Sequence, residues 1–299
     1  MSNERDQLAL KAAAQARPSP TGWYRANCPF CEFKTGKADR KQSWSILMSK
    51  GAHHCFKCGT SGQIKDFDPT KLGYEAISIE EVEVAKCIEP PEGFMLLCEE
   101  PARSAWSADP ARAYLKKRGL PEDVWRAAKI GVCVSGQQAG RIIVPVLASG
   151  GDWVGWVGRI WQKKGTLPYI YPRGMQRGSV LYNQQALMVE TDKPVLVVEG
   201  VFDSLALWPD SVAVLGKPSG TQVDALVAAK RPVAVVLDGD AWREGESLAM
   251  SLRIEGQRAG NVRLGPGVDP DEVNKSELWA AASECLDSSD SVTLGDGYG

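Results

Sequence analysis

Val195-Leu-Val-Val198, Val212-Ala-Val-Leu215, Val233-Ala-Val-Val-Leu237 and Val262-Arg-Leu264 are four short apolar runs. Each leads into a glycine turn or a carboxylate: Glu199-Gly200, Gly216, Asp238-Gly-Asp240 and Asp269-Pro-Asp-Glu272. Runs of β-branched residues without polar alternation suit strands buried on both faces, and the stretches between them have helical spacing, so the pattern predicts a parallel sheet in an α/β unit. Function in such sheets collects at the carboxyl ends of the strands. Glu199, Asp238, Asp240, Asp269 and Asp271 all fall there. In an extended segment residues two apart point the same way, so Asp238 and Asp240 are expected to face one site together.

Carboxylates gathered at one edge repel each other unless a cation lies between them. Hard oxygen ligands with few histidines suit Mg²⁺ or Mn²⁺. A single acid here would be an ordinary solvated strand end, but the ordered set asks for more. Val198-Glu-Gly-Val-Phe-Asp-Ser-Leu-Ala206, Leu237-Asp-Gly-Asp240 and Asp269-Pro-Asp-Glu272 resemble the three signature segments of the TOPRIM domain, shared by DnaG-type primases, topoisomerases and some nucleases. The resemblance implies a Rossmann-like sheet whose metal ions are arranged by Asp238, Asp240, Asp269 and Asp271, with Glu199 the acid closest to the reacting centre. The intervening Gly216-Lys-Pro-Ser-Gly-Thr221 offers small residues whose amides could hold a phosphate. It is not a Walker A loop, because Ser211 stands where that motif needs its first glycine and Pro218 where it needs serine or threonine.

Toward the N-terminus, Cys28-Pro-Phe-Cys31 and Cys55-Phe-Lys-Cys58 are two CxxC knuckles that can close one tetrahedral zinc site, as in a zinc ribbon. His53 and His54 are the only histidines, and ligation by His54 in place of a cysteine is the alternative. Because neighbours on a strand face opposite ways and Cys55 already fits the knuckle, four-cysteine ligation is favoured, leaving His54 to solvent or to packing beside Phe56. Trp44-Ser-Ile-Leu-Met48 with His54-Cys-Phe-Lys-Cys-Gly-Thr-Ser-Gly62 resembles the zinc-binding domain that begins DnaG-type primases. Cys31 departs from the many bacterial members that carry histidine in the first knuckle and is more like some phage relatives.

Between zinc ribbon and sheet, the sequence Ala111-Arg-Ala-Tyr-Leu-Lys-Lys-Arg-Gly-Leu120 reads as a helix ended by glycine, with Pro121 opening a second. Gly140-Arg-Ile-Ile-Val-Pro-Val-Leu147 and Trp153-Val-Gly-Trp-Val-Gly-Arg-Ile-Trp161 read as antiparallel strands joined at Gly150-Gly151. The helix pattern and this basic region resemble the entry to the primase polymerase core. By that resemblance Arg141, Arg159 and Arg177 hold phosphates of nucleotide or template. The family's lysine before the tyrosine matched by Tyr169 is replaced by Pro168, and Lys163 and Lys164 are the nearby substitutes.

The 299 residues, 43% apolar and 24% charged, are those of an ordinary globular protein with room for several cores. A net charge of −2 argues against indiscriminate coating of nucleic acid. Basic residues nonetheless crowd the zinc ribbon, including Arg25, Lys34, Lys37, Arg40, Lys41 and Lys57. No signal peptide or membrane-length apolar run is present, so a cytoplasmic protein with no membrane partner is expected, and its eight cysteines speak for metal ligation over disulfides. Cys87, Cys98, Cys133 and Cys285 have no partner spacing and read as small apolar residues.

The expected organisation is a zinc ribbon over 1–66, opened by a helix over 4–16; an acidic linker over 67–89 that lets the ribbon move; a basic mixed α/β subdomain over 90–192; the TOPRIM sheet over 193–274; and a C-terminal helix with a disordered tail over 275–299. This order resembles a stand-alone, phage-encoded primase of the DnaG type. The resemblance implies template-directed synthesis of short RNA primers on single-stranded DNA from NTPs, with one structural Zn²⁺, catalytic Mg²⁺ or Mn²⁺ and a separate replicative helicase as partner. Trp44, His54, Phe56 and Lys57 are the ribbon residues expected to recognise the template. A TOPRIM nuclease and a non-enzymatic DNA-binding adaptor are the alternatives.

Overall fold

The computed structural model describes residues 2–18, 24–48, 50–55, 57–73, 87–148, 150–161, 167–288 and 291–294. Three sheets organise them. The first is antiparallel and follows chain order: β1 (Arg17–Pro18), β2 (Tyr24–Ala26), β3 (Trp44–Leu47), β4 (Ala52–Cys55) and β5 (Ser61–Gln63). Helix α1 (Ser2–Ala13) lays Ala9, Ala12 and Ala13 against Trp44, Ile46 and Met48, and the short α2 (Cys31–Thr35) begins inside the first knuckle. Small alanine faces let the helix approach a core too small for bulky neighbours. Phe67 and Leu72 also pack on this core, and Asp68 caps the 3₁₀ turn Pro69–Leu72. The first unit therefore continues to Leu72 rather than ending at residue 66. Most of the expected acidic linker, 74–86, lies outside the described residues; by Ile88 the chain is bonded to the second sheet, its N–H donating to the Trp153 carbonyl at 2.8 Å.

The second sheet is also antiparallel, in the order β10-β9-β8-β7-β6: β6 (Phe94–Leu96), β7 (Gly131–Cys133), β8 (Arg141–Leu147), β9 (Trp153–Ile160) and β10 (Tyr169–Ile170). Between β6 and β7 run α3 (Asp109–Lys117) and α4 (Glu122–Ala127), separated as expected by Gly119, at φ 68°, and Pro121.

The third sheet is parallel throughout, in the order β12-β11-β13-β14-β15: β11 (Val195–Val198), β12 (Ser211–Ala213), β13 (Val233–Val235), β14 (Ala259–Arg263) and β15 (Val292–Thr293). Helices α5 (Val201–Ala206), α6 (Gly220–Val227), α7 (Trp242–Ile254) and α8 (Lys275–Glu284) connect its strands. Alternate residues of one strand feed two cores. Leu196, Val198, Ala234 and Val236 join Leu115, Trp125 and Ile142 of the second unit, while Val195, Val197, Val233 and Val235 pack with Leu226, Leu248 and Leu252. The absence of polar alternation in these runs is thereby explained. The second unit and the parallel sheet share one continuous core.

The tail is not all disordered: Val292 and Thr293 add a fifth parallel strand beside Val262 and Arg263, and Cys285 is fully buried. A two-residue strand leaves no periodic signal, so its pairing with β14 was invisible in sequence. The zinc unit is also seated on the parallel sheet's helical layer, where Lys50 forms an ion pair with Glu255 and the Ser61 hydroxyl donates to Met250 Sδ at 3.5 Å.

Candidate active site and zinc centre

The four thiols of Cys28, Cys31, Cys55 and Cys58 converge, every pair of sulfurs within 4.8 Å. Sγ–Sγ distances are 3.7 Å for Cys28–Cys58 and 3.6 Å for Cys31–Cys55, contacts without a disulfide. The first knuckle is fixed by Asp39, whose buried carboxylate accepts the N–H groups of Cys28, Lys41 and Ser43 at 2.9, 3.0 and 2.7 Å. Crowded thiols cannot all ionise unaided. A hydrogen bond from Cys28 leads the causes that pull Cys55 down to about 5, while burial and the neighbouring Cys55 push Cys31 up to about 12. A divalent cation removes that penalty, and four sulfurs in this arrangement fit zinc.

His54 lies outside this cluster and is buried, facing the seam with the parallel sheet rather than solvent. Burial lowers its pKa to about 4. Trp44 is wholly buried; its indole N–H donates to His53 Nδ1 at 3.3 Å, and it belongs to the zinc unit's core. It cannot stack on a template base, because an apolar ring of that size is what a small metal-dependent core most needs. Lys57 donates to the carbonyls of Lys37 and Ala38 at 3.2 and 2.9 Å. Phe56 lies outside the described residues.

At the carboxyl edge of the parallel sheet, β11 delivers a half-buried Glu199 and α5 begins at once. After β13 the chain does not remain extended. Asp238 precedes a 3₁₀ turn, Gly239–Ala241, so Asp240 sits on the turn and is exposed while Asp238 is half-buried. Asp240 thus reaches the acid edge from a turn and not from the extended spacing expected, and it is among the charges that raise Asp269. Gly239 makes the turn possible: its N–H donates to the Val268 carbonyl at 3.0 Å, and a Cβ there would lie 1.8 Å from the Gly265 carbonyl oxygen. This close approach joins the Asp238 loop to the segment that carries Asp269. Asp269 caps the turn Pro270–Glu272 through a reciprocal box with Glu272.

The acids interact strongly. Burial, then Glu199 and Asp269, raise Asp238 to about 6, and burial followed by glutamate and aspartate neighbours raises Asp269. Asp238 Oδ1 is buried with no hydrogen-bond partner among the described residues. A carboxylate oxygen left bare amid like charge fits a site for a hard cation.

Asp203 belongs to the same group but was not singled out in the sequence. It sits in the first turn of α5, four residues after Glu199, and burial with Asp271, Asp238 and Asp269 raises it to about 7. The spacing was the available signal, since a strand-end acid and a first-turn acid can reach one edge. Arg118 was missed as well. It forms a 2.8 Å ion pair with Asp271, donates to the Tyr114 hydroxyl at 3.0 Å and stacks over Phe202 at 5.2 Å. It therefore ties the second unit to the acid edge.

Arg159 extends this network, donating to the Tyr114 hydroxyl at 2.9 Å and lying 4.4 Å over the Tyr169 ring. Arg177 lies 4.5 Å over Tyr171 and lines a cavity of about 460 Å³ with Gly216 and Lys217, the loop after β12. Arg141 departs from its expected phosphate role: it is buried and donates to the carbonyls of Gly158 and Leu167 at 3.4 and 3.1 Å. Its place at the start of an interior strand surrounds it with main-chain acceptors. Lys163 and Lys164 lie outside the described residues.

A four-thiol zinc unit is joined to an antiparallel unit and an acid-edged parallel sheet, and this fold is found in solved primase structures. The zinc-binding and RNA polymerase domains of Aquifex aeolicus primase share it with a TM-score of 0.51 and 21% identity, over 94% of this chain and 84% of that one. The catalytic core of Escherichia coli primase superposes with a TM-score of 0.50 and 24% identity, over 60% of this chain and 74% of that one. In sequence the chain is similar to DNA primases: 23% identical to that of Helicobacter pylori over 84% of this chain and 54% of that protein, and 25% to that of Salmonella typhimurium over 86% and 55%. It spans about half the length of the curated relatives it matches. No family model matches it. No helix among the described residues is long and apolar enough to cross a membrane.

Proposed function

We propose that this chain is a DNA primase, joining NTPs into short RNA primers on a single-stranded DNA template. The observation that carries this reading is the joining of a four-thiol zinc unit to a parallel sheet edged by mutually repelling acids, in a chain similar to DNA primases over most of its length.

Mg²⁺ or Mn²⁺, when bound, would offset charge on the triphosphate and acidify the attacking 3′-hydroxyl. Glu199, Asp238, Asp240 and Asp269 would hold it. Asp203, poised between protonation states near neutrality, completes the acid set from α5. Arg118 orients Asp271, while Arg159 and Arg177, with Lys163 and Lys164, bind phosphates from the second unit. Arg141 serves the framework.

Incubating the protein with single-stranded DNA, NTPs and Mg²⁺ tests the reading. Short RNA products should appear and should be lost in Asp240→Ala with template binding retained. Template cleavage without RNA synthesis would establish a nuclease instead, and DNA binding with no Mg²⁺-dependent chemistry would leave an adaptor.

A further inference from the structure

Where the zinc unit meets the parallel sheet, the two enclose a cavity of about 360 Å³. From the zinc unit come Arg25, Lys41 and Ser45; from the sheet come Lys217, Val223 and Leu248. Arg25, Lys41 and Lys217 enter no ion pair among the described residues, and the single acid on the lining is Glu244. All three cations are solvent-exposed on the cavity's lining, where an anionic ligand would gain their combined attraction.

Both rims are held in place before any ligand arrives. On one side Asp39 fixes the main chain of Lys41 and Ser43. On the other, Ser219 caps α6 with a reciprocal box to Gln222, and the Gln222 amide donates to the carbonyls of Arg177, Val180 and Val214 at 3.0, 2.7 and 2.8 Å. The loop of small residues after β12 is thereby fixed with the positive end of α6 at the cavity wall.

We infer that this cavity is a nucleotide site separate from the acid edge, taking a free nucleoside di- or triphosphate with its phosphates among Arg25, Lys41 and Lys217 and its base against Val223 and Leu248. Size and charge choose the ligand. The volume lies at the lower end of the range of about 300–1,000 Å³ for small-molecule pockets, enough for one nucleotide and far too little for a duplex. A single strand brings about one phosphate charge per nucleotide, whereas a nucleoside polyphosphate concentrates several in the same space and matches three cations. Because its walls come from both units, an occupied site holds the zinc unit against the sheet. Primer synthesis does not enter this inference, which stands on the seam alone.

Calorimetric titration of the full, zinc-loaded chain with ATP, without added divalent cation, tests it, since metal-free ATP is repelled by the acid edge. One ATP should bind per chain, with ADP and then AMP weaker. Lys217→Ala and Arg25→Ala should each weaken binding by about tenfold, with zinc content and circular dichroism unchanged. Asp240→Asn should bind ATP as the parent does, and ATP should slow hydrogen exchange in both 41–45 and 217–220. The inference is overturned by no binding at about 1 mM ATP, by Lys217→Ala and Arg25→Ala proteins that bind like the parent, or by variants that lose affinity for a thymidine oligonucleotide and not for ATP. Loss of primer synthesis in Asp240→Ala reports on the acid edge and leaves this outcome independent.

Discussion

Gly239 has no side chain, and that is its contribution: it lets the Asp238 loop touch the backbone that leads to Asp269. Gly239→Ala would drive a Cβ into the Gly265 carbonyl, and neither backbone can yield without separating the acids. A cost of about 1–3 kcal/mol is expected from such overpacking, read as a lower denaturation midpoint, together with loss of Mg²⁺-dependent activity beyond what stability explains. Asp203 and Asp238 give a second expectation. Their folded-state pKa values, about 7 and about 6, exceed the ordinary carboxylate value of about 4. Between those limits these two carboxyls bind more protons in the native state than in the unfolded chain, so their contribution to stability is greatest at the acid end and is lost as pH rises through about 6 to 7. The buried histidines, with pKa values lowered to about 4, act in the opposite direction over the lower part of this window, so Asp203 is read by difference: without added Mg²⁺, the melting temperature of the parent relative to that of Asp203→Asn should fall between about pH 5 and pH 8. A difference between parent and Asp203→Asn that rises across this window would contradict the raised value of Asp203.

Elements differ in what holds them. Strands β11, β12 and β13 of the parallel sheet are buried on both faces, whereas those of the zinc unit surround a core of alanines, Trp44 and Ile46 beside the four thiols. Structural zinc contributes roughly 10–16 kcal/mol in small finger peptides, more than so slight a core supplies. Stripping the metal, or replacing Cys31 with serine, should abolish hydrogen-exchange protection through β3 and β4 and leave β11 and β13 protected. Uniform loss across all three sheets would show that the zinc unit does not fold on its own account. These differences mark what was legible beforehand. The knuckles and the apolar runs are local signals, so the zinc thiols, the parallel sheet and Glu199, Asp238 and Asp269 could be read directly. Burial of Trp44 and Arg141, the Arg118–Asp271 pair and the pairing of β15 with β14 depend on contacts between distant segments. The turn at Asp240 was misjudged for a different reason: Leu237-Asp-Gly-Asp240 continues an apolar run, and nothing local announces that the strand has stopped at Val235.

Across the whole molecule the second unit and the parallel sheet share a core, while the zinc unit is attached by a polar seam. Arg118 and Arg159 stand on the shared-core side and so keep a fixed relation to the acids. The zinc unit's contact through Lys50 and Glu255 is of another kind, since a partly exposed ion pair is worth little alone and is screened by salt. That pair also orders events on the ribosome. Residues up to Leu72 can close around zinc as soon as they emerge, but Glu255 emerges some 180 residues later, a delay of about 10–40 s at ordinary elongation rates. The nascent zinc unit must wait, already folded and with its docking face open to solvent, so that face has to remain soluble by itself; lysine, arginine and serine at the seam, where a permanent interface would carry leucine, are what such a wait requires.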